Sequence, residues 1–247
     1  KLLFDLGVDG LFLENARKLD VDIADVDIVV ISHGHYDHGG GLKTFLQENK
    51  KAKIYIHKKA FNKYYSRRDG ETFSYIGLDE ELKNSEQIIF TDGYIEIDKG
   101  LELFSGITAR KLSSKANEAL FMGKGDRIIE DLFEHEQNLI ITEDGKTLLL
   151  AGCAHNGIVN ILDKFIDIKG REPDYTIGGF HLYNRNAKKS ESIELITGIA
   201  DYLKETKTIY YTCHCTGLEP FTRLKHMMGE QVQYLSTGTI LRNINFY

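Results

Sequence analysis

One stretch constrains this chain more than any other: Ser32-His33-Gly34-His35-Tyr36-Asp37-His38-Gly39-Gly40-Gly41. Three imidazoles and one carboxylate fall within the six residues 33–38. Both groups are usual zinc ligands, and both also suit iron and manganese. The apolar run 26–31 that precedes them reads as a buried strand. The glycines after His38 forbid immediate regular structure and let the backbone turn, so that the side chains converge. A helical pattern then starts near Leu42, with Phe45 and Leu46 on one face. The expected local plan is strand, metal loop, helix. A lone histidine on an apolar face is most often a core residue; four ligand-type residues at this spacing point to a metal site.

Other histidines repeat the placement. His155 sits just past the strand 148–153, His181 follows Gly178-Gly179-Phe180 after the strand 175–177, and His214 lies in Cys213-His214-Cys215-Thr216-Gly217 after the strand 209–212. Strands that alternate with helices place their C-terminal ends on one sheet edge, where ligands bind. His135 precedes a strand and reads as surface or substrate loop. His57 ends a thinner strand motif and reads as buried, and His226 lies inside a helical pattern without a signal of its own.

The loop His33-x-His35-x-Asp37-His38 resembles the hallmark of the metallo-β-lactamase superfamily. Gly152-Cys153-Ala154-His155, Gly179-Phe180-His181 and Cys213-His214-Cys215-Thr216-Gly217 narrow the resemblance to one branch, metal-dependent hydrolases similar to a dihydropterin-ribofuranosyl-aminobenzene phosphate synthase. The resemblance implies an α/β (α+β) fold: an αββα sandwich of two mixed β-sheets flanked by helices. It implies two divalent metal ions, zinc first, with iron or manganese as alternatives. His33, His35 and His155 would serve one ion, and Asp37, His38 and His214 the other. Many members carry a bridging Asp where this chain has Cys153. A thiolate also binds zinc, although a cysteine in such a place is more often a small buried residue. In this reading Asp37 also orients the nucleophile, and His181 faces the substrate as a general acid.

The remaining pattern is that of a mixed α/β chain. Short helices are expected over 12–19 and 58–65, and amphipathic ones over 158–168, 190–206 and 221–228. The segments 88–90, 94–97 and 101–104, separated by Asp-Gly and Lys-Gly, suggest antiparallel strands, and Asp144-Gly145 marks a hairpin between 138–142 and 146–150. The segment 107–125 reads as a loop. The polar stretch 66–84 reads as an irregular insertion, either a solvated surface loop or a substrate loop in which Arg67 or Arg68 would grip an anionic group. The 247 residues read as one domain, 1–247, and a superfamily member would have one or two further strands before Leu2.

Composition excludes several classes. The hydrophobic content of 42% supports a sizeable core, and the net charge of −6 disfavours a general affinity for nucleic acid. No apolar stretch is long enough to span a membrane, and no signal peptide is visible. Cys213 and Cys215 stand two apart on an extended segment, so their side chains diverge and a local disulfide is disfavoured. A cytoplasmic protein is expected.

The function read from these features is hydrolysis of an ester, phosphoester or lactone in a small anionic substrate. The alternative is a pterin or phosphoribosyl synthase or transferase that uses the metals as Lewis acids. A flavodiiron-type redox protein fits poorly, since that loop carries Glu where His35 stands. A non-catalytic module is at odds with the intact ligand set, and a nuclease with the absence of a basic face.

Overall fold

The computed structural model describes residues 1–68, 72–242 and 244. The chain packs as two compact units, residues 1–95 with 118–137 and residues 96–117 with 138–247. The mixed α/β class expected from the sequence is the one observed.

The first unit holds a four-stranded parallel sheet, in spatial order Leu2–Phe4, Ile28–Ile31, Lys53–His57 and Ile88–Thr91. Parallel neighbours need a crossover. Helices Leu11–Lys18 and Leu42–Glu48 lie on the first two connections. Val29, Ile31, Ile54 and Ile56 are fully buried, as a parallel sheet covered by helices requires, and Leu42 and Phe45 pack in the same cluster. Each such side chain contributes roughly 1.5–3 kcal/mol relative to exposure. A second, antiparallel sheet runs Arg127–Glu130, Leu120–Lys124, Tyr64–Arg68, Thr72–Tyr75.

The second sheet corrects three expectations. No helix forms over 58–65; a turn leads into the strand Tyr64–Arg68. The alternation of Tyr64 and Ser66, buried, with the more exposed Tyr65 and Arg67 has the strand period of two, and that period prevails over the helical one. The stretch 66–84 is not irregular throughout, because Arg67 pairs with Phe73 across the hairpin; its tip, 69–71, lies outside the described residues. The loop expected over 107–125 ends in a strand, Leu120–Lys124. A fourth correction concerns 88–91, which joins the parallel sheet beside Lys53–His57 instead of forming a hairpin with the segments after it.

The second unit is built on a seven-stranded sheet in the order Val232–Tyr234, Ile209–Thr212, Tyr175–Gly178, Lys146–Leu150, Asn138–Glu143, Leu101–Phe104, Ile95–Asp98. The first four strands are parallel, and the connections between them carry the helices Ile158–Lys169, Ile193–Lys204 and Leu218–Met228. Their apolar faces meet in one core that includes Leu149, Ile161, Phe165, Ile199, Leu203 and Leu224. The hairpin at Asp144-Gly145 is as expected: both residues have positive φ, 47° and 77°, which suits a two-residue turn between twisted strands.

Candidate metal centre

His33 stands immediately beyond the strand Ile28–Ile31, and a single helical turn, Tyr36–Gly39, carries Asp37 and His38. That turn was not expected inside the glycine-rich loop. The role of the glycines is close approach. A Cβ on Gly34 would lie 2.2 Å from the Ala60 carbonyl oxygen, and one on Gly40 would lie 2.0 Å from that of Val8. The chain therefore passes its neighbours at backbone distance, and His33, His35 and Asp37 each bring a ligand atom within 4.8 Å of the others.

The imidazoles are oriented by oxygen partners. Asp5, at the end of the first strand and in the left-handed region at φ 60°, accepts from the Ser32 backbone N–H at 2.7 Å and from the Ser32 hydroxyl at 2.8 Å. Ser32 Oγ, having donated to Asp5, accepts from His33 Nδ1 at 2.8 Å. His38 Nδ1 donates to Asp5 Oδ2 at 2.6 Å. A histidine that ligates a metal usually donates its other ring nitrogen to such an acceptor, which fixes the tautomer. Here Nε2 of His33 and of His38 is the nitrogen suited to a metal.

His135 corrects the sequence reading. It is buried, 1% exposed, rather than on the surface, and its Nδ1 accepts from the Gly34 backbone N–H at 2.8 Å. Its Nε2 lies 3.1 Å from Asp131 Oδ2, which is also 3.6 Å from His35 Nε2. Burial acts to raise the Asp131 carboxyl, but the facing imidazoles of His135 and His35 outweigh it and hold the group well below the usual carboxylate range. Burial pushes His35 down, against the pull of Asp131. Asp5 and Asp131 were not singled out from the sequence, and His135 was read there as surface or substrate loop.

In the second unit His155, His181 and His214 follow the C-terminal ends of three adjacent parallel strands. Asn117 clamps His155: its amide nitrogen donates to the His155 carbonyl at 2.8 Å, and its oxygen accepts from His155 Nδ1 at 2.9 Å. The same logic makes Nε2 of His155 the nitrogen suited to a metal. Ala154, His181 and His214 all adopt positive φ, 54°, 48° and 50°. Such strain in non-glycine residues persists only where the surroundings over-determine it, and it clusters at functional sites.

Sulfur joins this second set. Cys153 Sγ lies 3.4 Å from His214 Nδ1, and Cys153, His181 and Cys215 bring donor atoms within 4.8 Å of one another. Burial raises the Cys215 thiol, but hydrogen bonds with Cys153, His181 and His214 outweigh it and hold the thiol well below its ordinary value. The ring of His181 is 4.3 Å from that of His155, centre to centre. Cys215 was not singled out from the sequence.

Arg67 and Arg68 are exposed on the antiparallel sheet of the first unit, with the Arg67 guanidinium 5.0 Å over the Phe121 ring. His57 is buried, and that burial pushes it down to about 4. The imidazoles, carboxylates and thiols fit a divalent transition metal by type, and the backed Nδ1 atoms of His33, His38 and His155 fit it by orientation. No helix among the described residues is long and apolar enough to cross a membrane.

A family model described as the metallo-beta-lactamase superfamily matches residues 1–195. The uncharacterized protein MJ0448 of Methanocaldococcus jannaschii is 31% identical over 237 residues, 92% of this chain and 83% of that protein. The 7,8-dihydropterin-6-methyl-4-(beta-D-ribofuranosyl)-aminobenzene-5'-phosphate synthase of the same organism is 26% identical over 263 residues, 98% of this chain and 84% of that protein. Among solved structures, Tm1679, described as a metal-dependent hydrolase of the beta-lactamase superfamily, superposes with a TM-score of 0.81 at 30% identity, covering 96% of this chain and 87% of that one.

Proposed function

The chain belongs to the metallo-beta-lactamase superfamily, and on that premise we propose that it is a metal-dependent hydrolase with two divalent ions that cleaves an ester, phosphoester or lactone of a small anionic substrate. The observation that carries the reading is the loop 33–38, in which His33 and His38 have their Nδ1 atoms already committed to Ser32 and Asp5. Ligands held in this way bind with little further ordering. In the proposal His33, His35 and His155 hold one ion and Asp37, His38 and His214 the other, with zinc preferred. Bound divalent ions supply Lewis acidity and a nucleophilic water near neutral pH.

The protein's own groups do the rest. Asp37 accepts a hydrogen bond from the attacking water and aligns it. His181 donates a proton to the leaving oxygen. Arg67 or Arg68 holds the anionic part of the substrate by guanidinium hydrogen bonds.

A second reading draws on the 26% identical relative named as a dihydropterin phosphate synthase: transfer on a pterin or phosphoribosyl substrate. One experiment addresses both. The protein is purified without added metal, its metal content is measured, and phosphoesters, lactones and pterins are screened in ¹⁸O-labelled water. About two ions per chain and label in the product support hydrolysis. Turnover without label supports transfer. Less than one ion per chain after reconstitution overturns both.

A further inference from the structure

We propose that Asp131 and His135 are positioning residues for His35: they hold its ring so that Nδ1, and not Nε2, is presented to a metal. The proposal rests on the metal-binding reading above and adds residues to it. The Gly34 N–H is a donor only, and it points at His135 Nδ1 at 2.8 Å. His135 Nδ1 is therefore the acceptor nitrogen, and the proton of the neutral ring is on Nε2. That Nε2–H faces Asp131 Oδ2 at 3.1 Å. The carboxylate is fixed from its other side, where Oδ1 accepts from the Phe133 backbone N–H at 2.7 Å. The ring of the buried Tyr64 lies 4.0 Å from that of His135, tilted by 37°, and packs against it.

His35 completes the array. Its Nε2 is 3.6 Å from the same Asp131 oxygen, a contact of ion-pair range rather than a full hydrogen bond. A lone pair facing a carboxylate is repelled, and an N–H is attracted, so the proton of neutral His35 resides on Nε2. The nitrogen with the lone pair is then Nδ1. This is the reverse of His33 and His38, whose Nδ1 atoms are committed to Ser32 and Asp5. Gly34, between the two ligand histidines, is the link that ties the loop to the array. Every member belongs to the first compact unit.

The experiment uses the whole chain, metal-free, with ¹⁵N-labelled histidine. Long-range ¹H–¹⁵N spectra read the tautomer of each ring, and zinc affinity is measured by competition with a chelator. The expected result is Nε2–H at both His35 and His135 in the wild type. In Asp131→Asn, His35 should become a mixture of tautomers, while His33 and His38 keep theirs, and affinity for one zinc equivalent should fall about 10–100-fold. His135→Phe keeps the ring volume without its nitrogens and should give a smaller loss in the same direction, which serves if the first variant does not fold. Nδ1–H at His35 in the wild type overturns the proposal whatever the metal results. So does wild-type zinc affinity in both variants. A wild type with ordered tautomers that binds no divalent metal overturns the proposed function and leaves the orientation of His35 standing.

Discussion

The two histidine sets are braced by different chemistry. Around His33, His35 and His38 the bracing is oxygen: Ser32, Asp5 and Asp131, two of them carboxylates. Around His155, His181 and His214 it is mixed. An amide holds His155, a sulfur faces His214, and the buried Nδ1 of His181 has no hydrogen-bond partner among the described residues. The backbones differ in the same sense. The first set lies on a loop where glycines allow close approach, and the second on strand-end turns where Ala154, His181 and His214 occupy the left-handed region. The first set is organised before any ligand arrives. The second stores strain, and its His181 pairs with the Cys215 thiol while its Nδ1 stays without a hydrogen-bond partner among the described residues.

The largest expected effect breaks this comparison directly. His33→Ala or His35→Ala should lose bound metal and abolish turnover. His181→Ala should keep its metal, as measured by elemental analysis, and lose about 10²–10⁴-fold in kcat, the typical contribution of a positioned acid. If His181→Ala loses an ion instead, His181 and the nearby thiols of Cys153 and Cys215 form part of the metal shell, and the two sets do the same work.

A next effect sharpens the backbone contrast. Gly34→Ala places a methyl against the Ala60 carbonyl, which cannot retreat without moving the chain, and should cost about 1–3 kcal/mol of stability. Ala154→Gly should do the opposite and stabilise by about 0.5–1 kcal/mol, since glycine occupies the left-handed region without strain. Chemical denaturation of the metal-free proteins measures both. Equal and opposite signs are not required, but a stabilised Gly34→Ala contradicts the account of the loop.

How much of this was legible in the sequence follows from what each signal depends on. The loop 33–38 was legible because its ligands are contiguous. The helices Ile158–Lys169 and Ile193–Lys204 were legible because a buried face at 3.6-residue spacing leaves an unbroken pattern. His135 was misread because its burial depends on Gly34, 101 residues away, and no local pattern carries that. The strand Tyr64–Arg68 was misread because tyrosines and charged residues in a short run satisfy either period until a partner strand selects one. Asn117 was invisible, since an amide in a loop becomes a clamp only when His155 is brought to it.

His57 tests whether burial alone, without a metal role, explains a histidine of the first unit. It ends the strand Lys53–His57, accepts from the Lys59 backbone N–H at 3.2 Å, and is held at about 4 by burial, despite Asp92. Its pKa in the folded chain is therefore below the unfolded value near 6.5. Between these values the unfolded chain binds more protons, so stability rises with pH there. The contribution is complete above about pH 6.5 and is lost as pH falls toward 4, up to about 3 kcal/mol. Denaturation midpoints of wild type and His57→Gln should converge at pH 4 relative to their difference at pH 7. A constant difference across that range assigns the residue no such role.

The smallest effect concerns the arginines, and they are not equivalent. Adjacent residues on a strand face opposite sides of the sheet. The Arg67 guanidinium lies over Phe121, and its Nη2 donates to the Glu118 carbonyl at 3.4 Å, so part of its capacity is spent within the unit. Arg67→Ala should therefore lower stability by about 0.5–1 kcal/mol, the scale of an exposed cation–π contact. Arg68 is exposed on the same strand, with no shared ring of this kind among the described contacts. If either arginine holds the anionic part of the substrate, it is the one whose removal raises KM by about 3–10-fold with kcat unchanged, the mark of binding energy shared equally by ground and transition states. A rise in KM for Arg68→Ala alone would divide the hairpin into one structural and one recognition arginine. Unchanged KM in both variants would make this hairpin a purely structural part of the first unit and move recognition of the anion elsewhere.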